Sequence, residues 1–170
     1  MKPDSYTPAK SVWTQDDLEE MSWHDCRVHG IGMVDDFEPH LHEFRLDIDY
    51  IFKWPGFCDG SEEQGFWVSP ATLVFENPVE MSIKISDWLD TYILNVTRTG
   101  PHKSSDLEPQ WVWQFDLSSG GRIKITSAKF TQYIRRAPIF LPSPSNQTLE
   151  SGMRGGICFD KVAYDRPVGS

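Results

Sequence analysis

Between residues 44 and 54 the chain reads Phe44-Arg45-Leu46-Asp47-Ile48-Asp49-Tyr50-Ile51-Phe52-Lys53-Trp54, with every even position apolar and the odd ones Arg, Asp, Asp, Ile and Lys. A period of two belongs to an extended strand, whose side chains alternate between faces. It predicts a strand buried on one face and mostly wet on the other. Weaker versions recur over 66–76, 79–85, 92–97, 111–117, 123–127 and 130–134, and a strand is expected before them at about 26–34. Asn77-Pro78 and Gly120-Gly121 each separate two alternating runs, so both read as hairpin turns. Sequential hairpins make an antiparallel meander, and seven or eight strands hiding a common apolar face imply an all-β barrel, sandwich or curved sheet.

The period breaks at 14–20. Thr14 is suited to cap the first amides of a short helix there, and Asp16, Asp17 and Glu19 favour its positive end. Residues 1–13 read as a flexible N-terminus, and 55–65, 100–109 and the proline-rich stretch 138–156 as loops. One more edge strand is expected at 159–164.

At 170 residues the length suits a single domain, and 39 % hydrophobic with 24 % charged residues fits neither the disordered nor the membrane class. Sixteen basic against 25 acidic residues give a net charge of -9. Such a surface repels nucleic acid and anionic lipid and suits a basic partner. No run of apolar residues is long enough to cross a bilayer, and the start lacks the apolar stretch of a secretory signal. Cys26, Cys58 and Cys158 are odd in number and far apart, which suits free thiols in a reducing compartment, so a cytoplasmic protein is expected.

Trp23-His24-Asp25, the run Leu46-Asp47-Ile48-Asp49-Tyr50-Ile51 with Trp54, and Pro70-Ala71-Thr72-Leu73-Val74-Phe75-Glu76-Asn77 together resemble a family of bacterial proteins. That family has an aromatic-His-Asp opening, an LDIDYI strand and a PATL-x-F strand. The resemblance covers roughly the first half of the chain and the later glycine-turn hairpin. It implies a bacterial cytoplasmic domain and brings no activity with it.

Four patterns carry candidate chemistry. His40-Leu41-His42 puts two imidazoles on one side of an extended segment, but the acids that follow, Glu43 and Asp47, fall on the other face by parity. Neither a metal nor a cofactor is expected. In Trp23-His24-Asp25 the carboxylate could orient the imidazole, although neighbours on a strand point to opposite faces. Asp47 and Asp49 share the expected outer face with Arg45 and Lys53, where opposite charges pair in solvent or present a rim to a partner. The chain has seven tryptophans; Trp111 and Trp113 face one way, and Trp54 and Trp67 flank the first long loop. Exposed, they make a stacking platform or an anchor; buried, they are core. The single Arg-Gly-Gly in Gly152-Met153-Arg154-Gly155-Gly156 reads as a flexible loop.

These features lead us to expect a non-enzymatic binding module that recognises a basic protein, an immunity or antitoxin-like role being one version. Its candidate binding residues are Trp23, His24, Asp25, Asp47, Asp49, Trp54, Trp67, Trp111 and Trp113. One alternative is a β-barrel whose interior, lined by Tyr50, Phe52, Trp111 and Trp113, holds an apolar or sugar ligand. The other is a hydrolase or isomerase using His24 with Asp25, Asp47 or Asp49.

Overall fold

The computed structural model describes residues 5–36, 41–56, 65–103, 108–143 and 147–166. Among them the chain forms ten strands: β1 (Val12–Thr14), β2 (Arg27–Asp36), β3 (Leu41–Lys53), β4 (Gly65–Glu76), β5 (Glu80–Lys84), β6 (Ile93–His102), β7 (Gln110–Leu117), β8 (Arg122–Ser127), β9 (Phe130–Ile134) and β10 (Ile139–Pro142). A 3-10 helix (Gln15–Glu20) follows β1, and the short helix α1 (Ser151–Arg154) lies near the end. The fold is all-β, as the alternation predicts. The expected N-terminal helix is present in tighter form, closed by a capping box: the Thr14 side chain accepts from the first turn, and the Asp17 carboxylate accepts from the Thr14 amide at 3.0 Å.

The strands make two antiparallel sheets, one in the order β1-β9-β4-β3-β2 with β10 pairing the start of β4, the other in the order β5-β8-β7-β6. The Gly120-Gly121 turn joins β7 to β8 as expected. Asn77-Pro78, however, makes no hairpin. β4 pairs β9 in the first sheet and β5 pairs β8 in the second, so the two strand pairs form one ribbon bent at residues 77–79 and 127–129. The register sum changes by one across the bend, from Phe75↔Phe130 to Glu80↔Thr126. Asn77 takes φ 44 there, a left-handed conformation that Asn tolerates, and Pro78 gives up no ladder amide. Ser127 Oγ closes the corner by donating to the Glu76 carbonyl at 2.7 Å. At the opposite side Asp25 and Val28 donate to Ile93 and Thr91, stitching the start of β2 to the start of β6.

The space between the sheets is filled by side chains. Phe44, Leu46, Ile48 and Tyr50 come from the even positions of β3, and Trp113, Phe115, Ile123 and Ile125 from the facing sheet. Phe75 lies within 6.0 Å, centroid to centroid, of Trp113, Phe115 and Phe130. The ligand-holding interior expected around Tyr50, Phe52, Trp111 and Trp113 is therefore corrected: Tyr50 and Trp113 are packed core, and Tyr50 stands edge-on to Phe52 at 4.9 Å.

The expected flexible N-terminus and the expected loop 138–156 are both structured where they are described. Tyr6 packs against Phe52 and Trp67, Ser11 is buried, and β1 pairs β9, so residues 5–13 are not loose. The stretch 138–156 contributes β10 and α1 rather than one loop. Residues 159–164 form no strand; only an isolated bridge joins Ala163 to Arg166. Instead the Phe159 ring lies on β2 over Gly30 and Gly32, and a Cβ at Gly30 would come within 2.8 Å of it. Among the described residues no helix is long and apolar enough to cross a membrane.

Phe75 is fully buried and ringed by three aromatic side chains. Phe75→Ala should cost about 3–5 kcal/mol in urea unfolding through the lost transfer energy and the cavity left behind. A loss under about 1 kcal/mol would mean that the two sheets do not depend on this contact.

Candidate functional site

The acidic odd positions of β3, Glu43, Asp47 and Asp49, lie on the face away from the interior, yet they are dry. Asp47 and Asp49 are both 0 % exposed and Glu43 is buried beside them, because residues 149–161 lie across this face. The expected solvated rim is thus corrected. Asp47 accepts from Arg135 Nη2 at 2.6 Å, from Arg154 Nη2 at 2.6 Å and Nη1 at 3.0 Å, and from the Cys158 amide at 3.0 Å. Asp49 accepts from Arg154 Nε at 3.2 Å and the Leu149 amide at 2.9 Å, and meets His29 Nε2 at 2.8 Å. Further along, Glu43 is held by Arg45 and by Lys161 Nζ at 2.6 Å, and Arg45 also donates to the Phe159 carbonyl at 3.0 Å.

Arg154 is the hub. Burial works against its charge, but the Asp47 and Asp49 carboxylates outweigh that and hold the guanidinium above its ordinary value. The Gly152–Gly156 stretch, expected to be a flexible loop, holds the last residues of α1 and the left-handed Gly155 that caps it, and this turn carries Arg154 to both carboxylates. The network fixes the C-terminal segment to the sheet and leaves neither acid free for a substrate or a partner.

A second site lies at the other side of the molecule's chemistry, in a groove of about 540 Å³ between the end of the 3-10 helix, residues 21–24 and β6. Leu18, Met21, Leu94 and Val96 supply apolar walls, and Trp23 and Trp113 the floor. Trp23 is held from below by donating to Gln132 Oε1 at 2.8 Å. His24 and Asp25 lie in a turn, not on a strand, with Asp25 at φ 62, so the parity that separates strand neighbours does not apply. His24 Nε2 is 3.6 Å from Asp25 Oδ1. Its Nδ1 meets the Leu94 carbonyl at 2.6 Å; a carbonyl only accepts, so Nδ1 carries the proton. The imidazole is 57 % exposed at the rim.

Arg98 crosses the groove from β6. Its guanidinium carbon is 4.1 Å from the Trp111 ring centroid and 5.5 Å from that of Trp113. Among the described residues it has no carboxylate partner. Every other arginine that is at least partly buried has one: Arg27 reaches Asp90, Arg45 reaches Glu43, and Arg135 and Arg154 reach Asp47.

Of the candidate residues, the structure brings Trp23, His24 and Trp113 into this groove and places Asp25 and Trp111 at its margin. It does not gather Asp47 and Asp49 with His24; Asp49 pairs His29 instead. Trp54 and Trp67 pack against the body away from the groove, Trp67 at 5.3 Å from Phe140. Sequence reasoning misses Arg98, Arg154 and Arg135. For Arg154 the following glycines could mark a helix end, but nothing local directs its side chain to Asp47 or Asp49. Among the described residues no three His, Cys, Asp or Glu side chains are gathered as metal ligands. His42 pairs Asp35 at 2.9 Å, while His40 and Cys58 lie outside the described residues.

Fold and sites together define an antiparallel two-sheet β-domain with an internal ionic clamp on one face and a tryptophan-floored groove at the sheet edge. No protein-family model, curated protein or solved structure matches the chain.

Arg154→Ala should destabilise the protein by about 3–5 kcal/mol in urea unfolding, because Asp47 and Asp49 stay buried with too little positive charge. A change below about 1 kcal/mol would remove the clamp from the forces that hold the fold. Alkaline pH gives a second check. Burial pushes the Cys26 thiol and the Tyr50 phenol above their ordinary values. The folded chain therefore favours their neutral forms; that stability is complete below the ordinary values and is lost as pH rises through the elevated ones. Unfolding free energy should fall above about pH 9, and Cys26→Ala should delay the onset of the fall. Identical alkaline curves for the two proteins would show that the thiol contributes nothing.

Proposed function

We propose that the chain is a non-enzymatic, cytoplasmic binding module that recognises another protein through the groove between the 3-10 helix and β6. The observation that carries this reading is Arg98. A half-buried guanidinium laid over tryptophan rings, with no carboxylate partner among the described residues, occurs here in a chain with nine more acids than bases. Arginine held flat on an aromatic platform keeps its donor edges free and pre-oriented, which lowers the entropy lost when a ligand arrives. Arginine and tryptophan are also the residue types that dominate binding energy at protein interfaces.

The surroundings favour a protein over a small free ligand. Leu94 is 46 % exposed at the groove's mouth, and beyond Ile93 the outer edge of β6 has no partner strand among the described residues. Such an edge presents unpaired amides and carbonyls to an incoming extended segment. Asp16, Glu19 and Glu20 are exposed on the 3-10 helix beside it, which gives a basic partner its electrostatic approach. The free thiols Cys26 and Cys158 agree with the reducing cytoplasm.

Selection from a random peptide library should return ligands that bind the wild-type chain and bind Leu94→Glu and Arg98→Gln chains at least about tenfold more weakly. Both variants should keep the wild-type unfolding curve within about 1 kcal/mol, since neither position is fully buried. Enriched peptides that bind all three proteins alike would reject the groove as the recognition surface.

A further inference from the structure

We infer that the groove is a carboxylate site built for the C-terminus of a partner chain whose last residue is apolar. This rests on the protein-recognition reading above and gives it a chemistry. Three observations set the ligand's character.

The first is charge count. One guanidinium faces the groove, and Glu19 stands on the same lining. A planar guanidinium fork matches one carboxylate with two parallel hydrogen bonds. A phosphate dianion would bring a second negative charge toward Glu19, and the groove's lining holds one arginine and no lysine to meet it. The site thus selects a monoanion.

The second is the lining. Leu18, Met21, Leu94 and Val96 surround the approach to Arg98, over the floor of Trp23 and Trp113. The anion must therefore be joined to an apolar body that can cover these side chains, at roughly 25 cal/mol for each Å² removed from water. Acetate or another small hydrated ion leaves that surface wet.

The third is the backbone beside it. Beyond the Leu94 carbonyl, which accepts from His24, the outer edge of β6 has no partner strand among the described residues and runs through Arg98 toward the end of the strand. A segment that adds to this edge as an extended strand satisfies those backbone groups, and ending at Arg98 lets its terminal carboxylate meet the fork. The exposed acids Asp16, Glu19 and Glu20 flank the path, so basic residues upstream of the terminus complement them. A lysine-containing segment with an apolar C-terminal residue meets all three conditions.

The test uses the full chain and a pool of peptides of the form Ac-Lys-Thr-Val-X, with X as Leu, Val or Phe, each made with a free C-terminal carboxylate and as the C-terminal amide. Calorimetry should show the free-acid pool binding and the amide pool binding at least about tenfold more weakly. Arg98→Gln should remove that difference, and Arg98→Lys, which keeps the charge but loses the fork, should reduce it. If Arg98→Gln does not fold, Arg98→Lys with Lys84→Ala, exposed on β5 at the opposite edge of the sheet, as the control carries the comparison. Equal binding of acid and amide would overturn the carboxylate site, while peptides selected from the library could still depend on the groove, leaving protein recognition standing. Tighter binding of inorganic phosphate than of the free-acid pool would overturn it as well. Phenylacetate binding at Arg98, with neither the two pools nor any library-selected peptide binding, would overturn both the partner terminus and protein recognition. No binding of either pool to the wild-type chain would overturn the terminus inference alone.

Discussion

Two carboxylates two residues apart on one strand cannot be taken out of water unless cations go with them, and this requirement organises half of the molecule. Asp47 and Asp49 are placed by the pleat of β3 on the face away from the core. To be buried there, they need positive charge from elsewhere in the chain, and they receive it from positions about 90 and 105 residues later, Arg135 and Arg154. Backbone amides of Leu149 and Cys158 complete the shell. Removing either sign alone would leave the other buried and unmatched, so the cluster is costlier to break than it is favourable to form. The segment 149–161 has little secondary structure and few apolar anchors beyond Leu149 and the Phe159 ring; its position follows from ionic and amide contacts to β3.

The second organising feature is the bent ribbon of β4-β5 and β9-β8. By carrying two strands from one sheet into the other, it places Phe75 and Phe130 opposite Trp113 and Phe115 and closes the sandwich at that corner. The β2-to-β6 stitching closes the diagonal side only as far as Ile93. Beyond it the sheets part, and the opening is the groove.

How much of this the sequence discloses depends on the range of the interaction. Alternation is local, so the strand at 44–54 and the Gly120-Gly121 hairpin are legible, and so is the Thr14 cap. Asn77-Pro78 is legible as a turn but not as a change of sheet, because local chemistry is the same for a hairpin and a corner; only the partners of β4 and β5 differ. The alternation also misleads at Asp47 and Asp49. Polar residues at odd positions signal a second face, and nothing nearby in the chain says that a distant segment will cover it. Arg154, set among glycines, offers no periodicity at all, and its role appears only with the fold. The groove is half legible: Trp23-His24 and Trp111 with Trp113 stand out by type, whereas Arg98 lies in a stretch of Thr and Asn that reads as ordinary exposed strand.

The contrast between the two sets of arginines bears on why the groove is the more informative site. Arg135 and Arg154 are saturated, and their carboxylates came from within the chain at the cost of dehydration. A chain with 25 acidic residues had ample means to supply a carboxylate to Arg98 too, and Glu19 lines the same groove. Instead the guanidinium is laid on Trp111 and Trp113, an arrangement that pays part of the desolvation of its flat faces through the aromatic quadrupole and leaves its edge donors available. An internal carboxylate would have neutralised those donors and filled the groove. The aromatic platform holds the cation in place without doing either, so among the described residues the guanidinium stands without a carboxylate partner in the groove of an acidic domain.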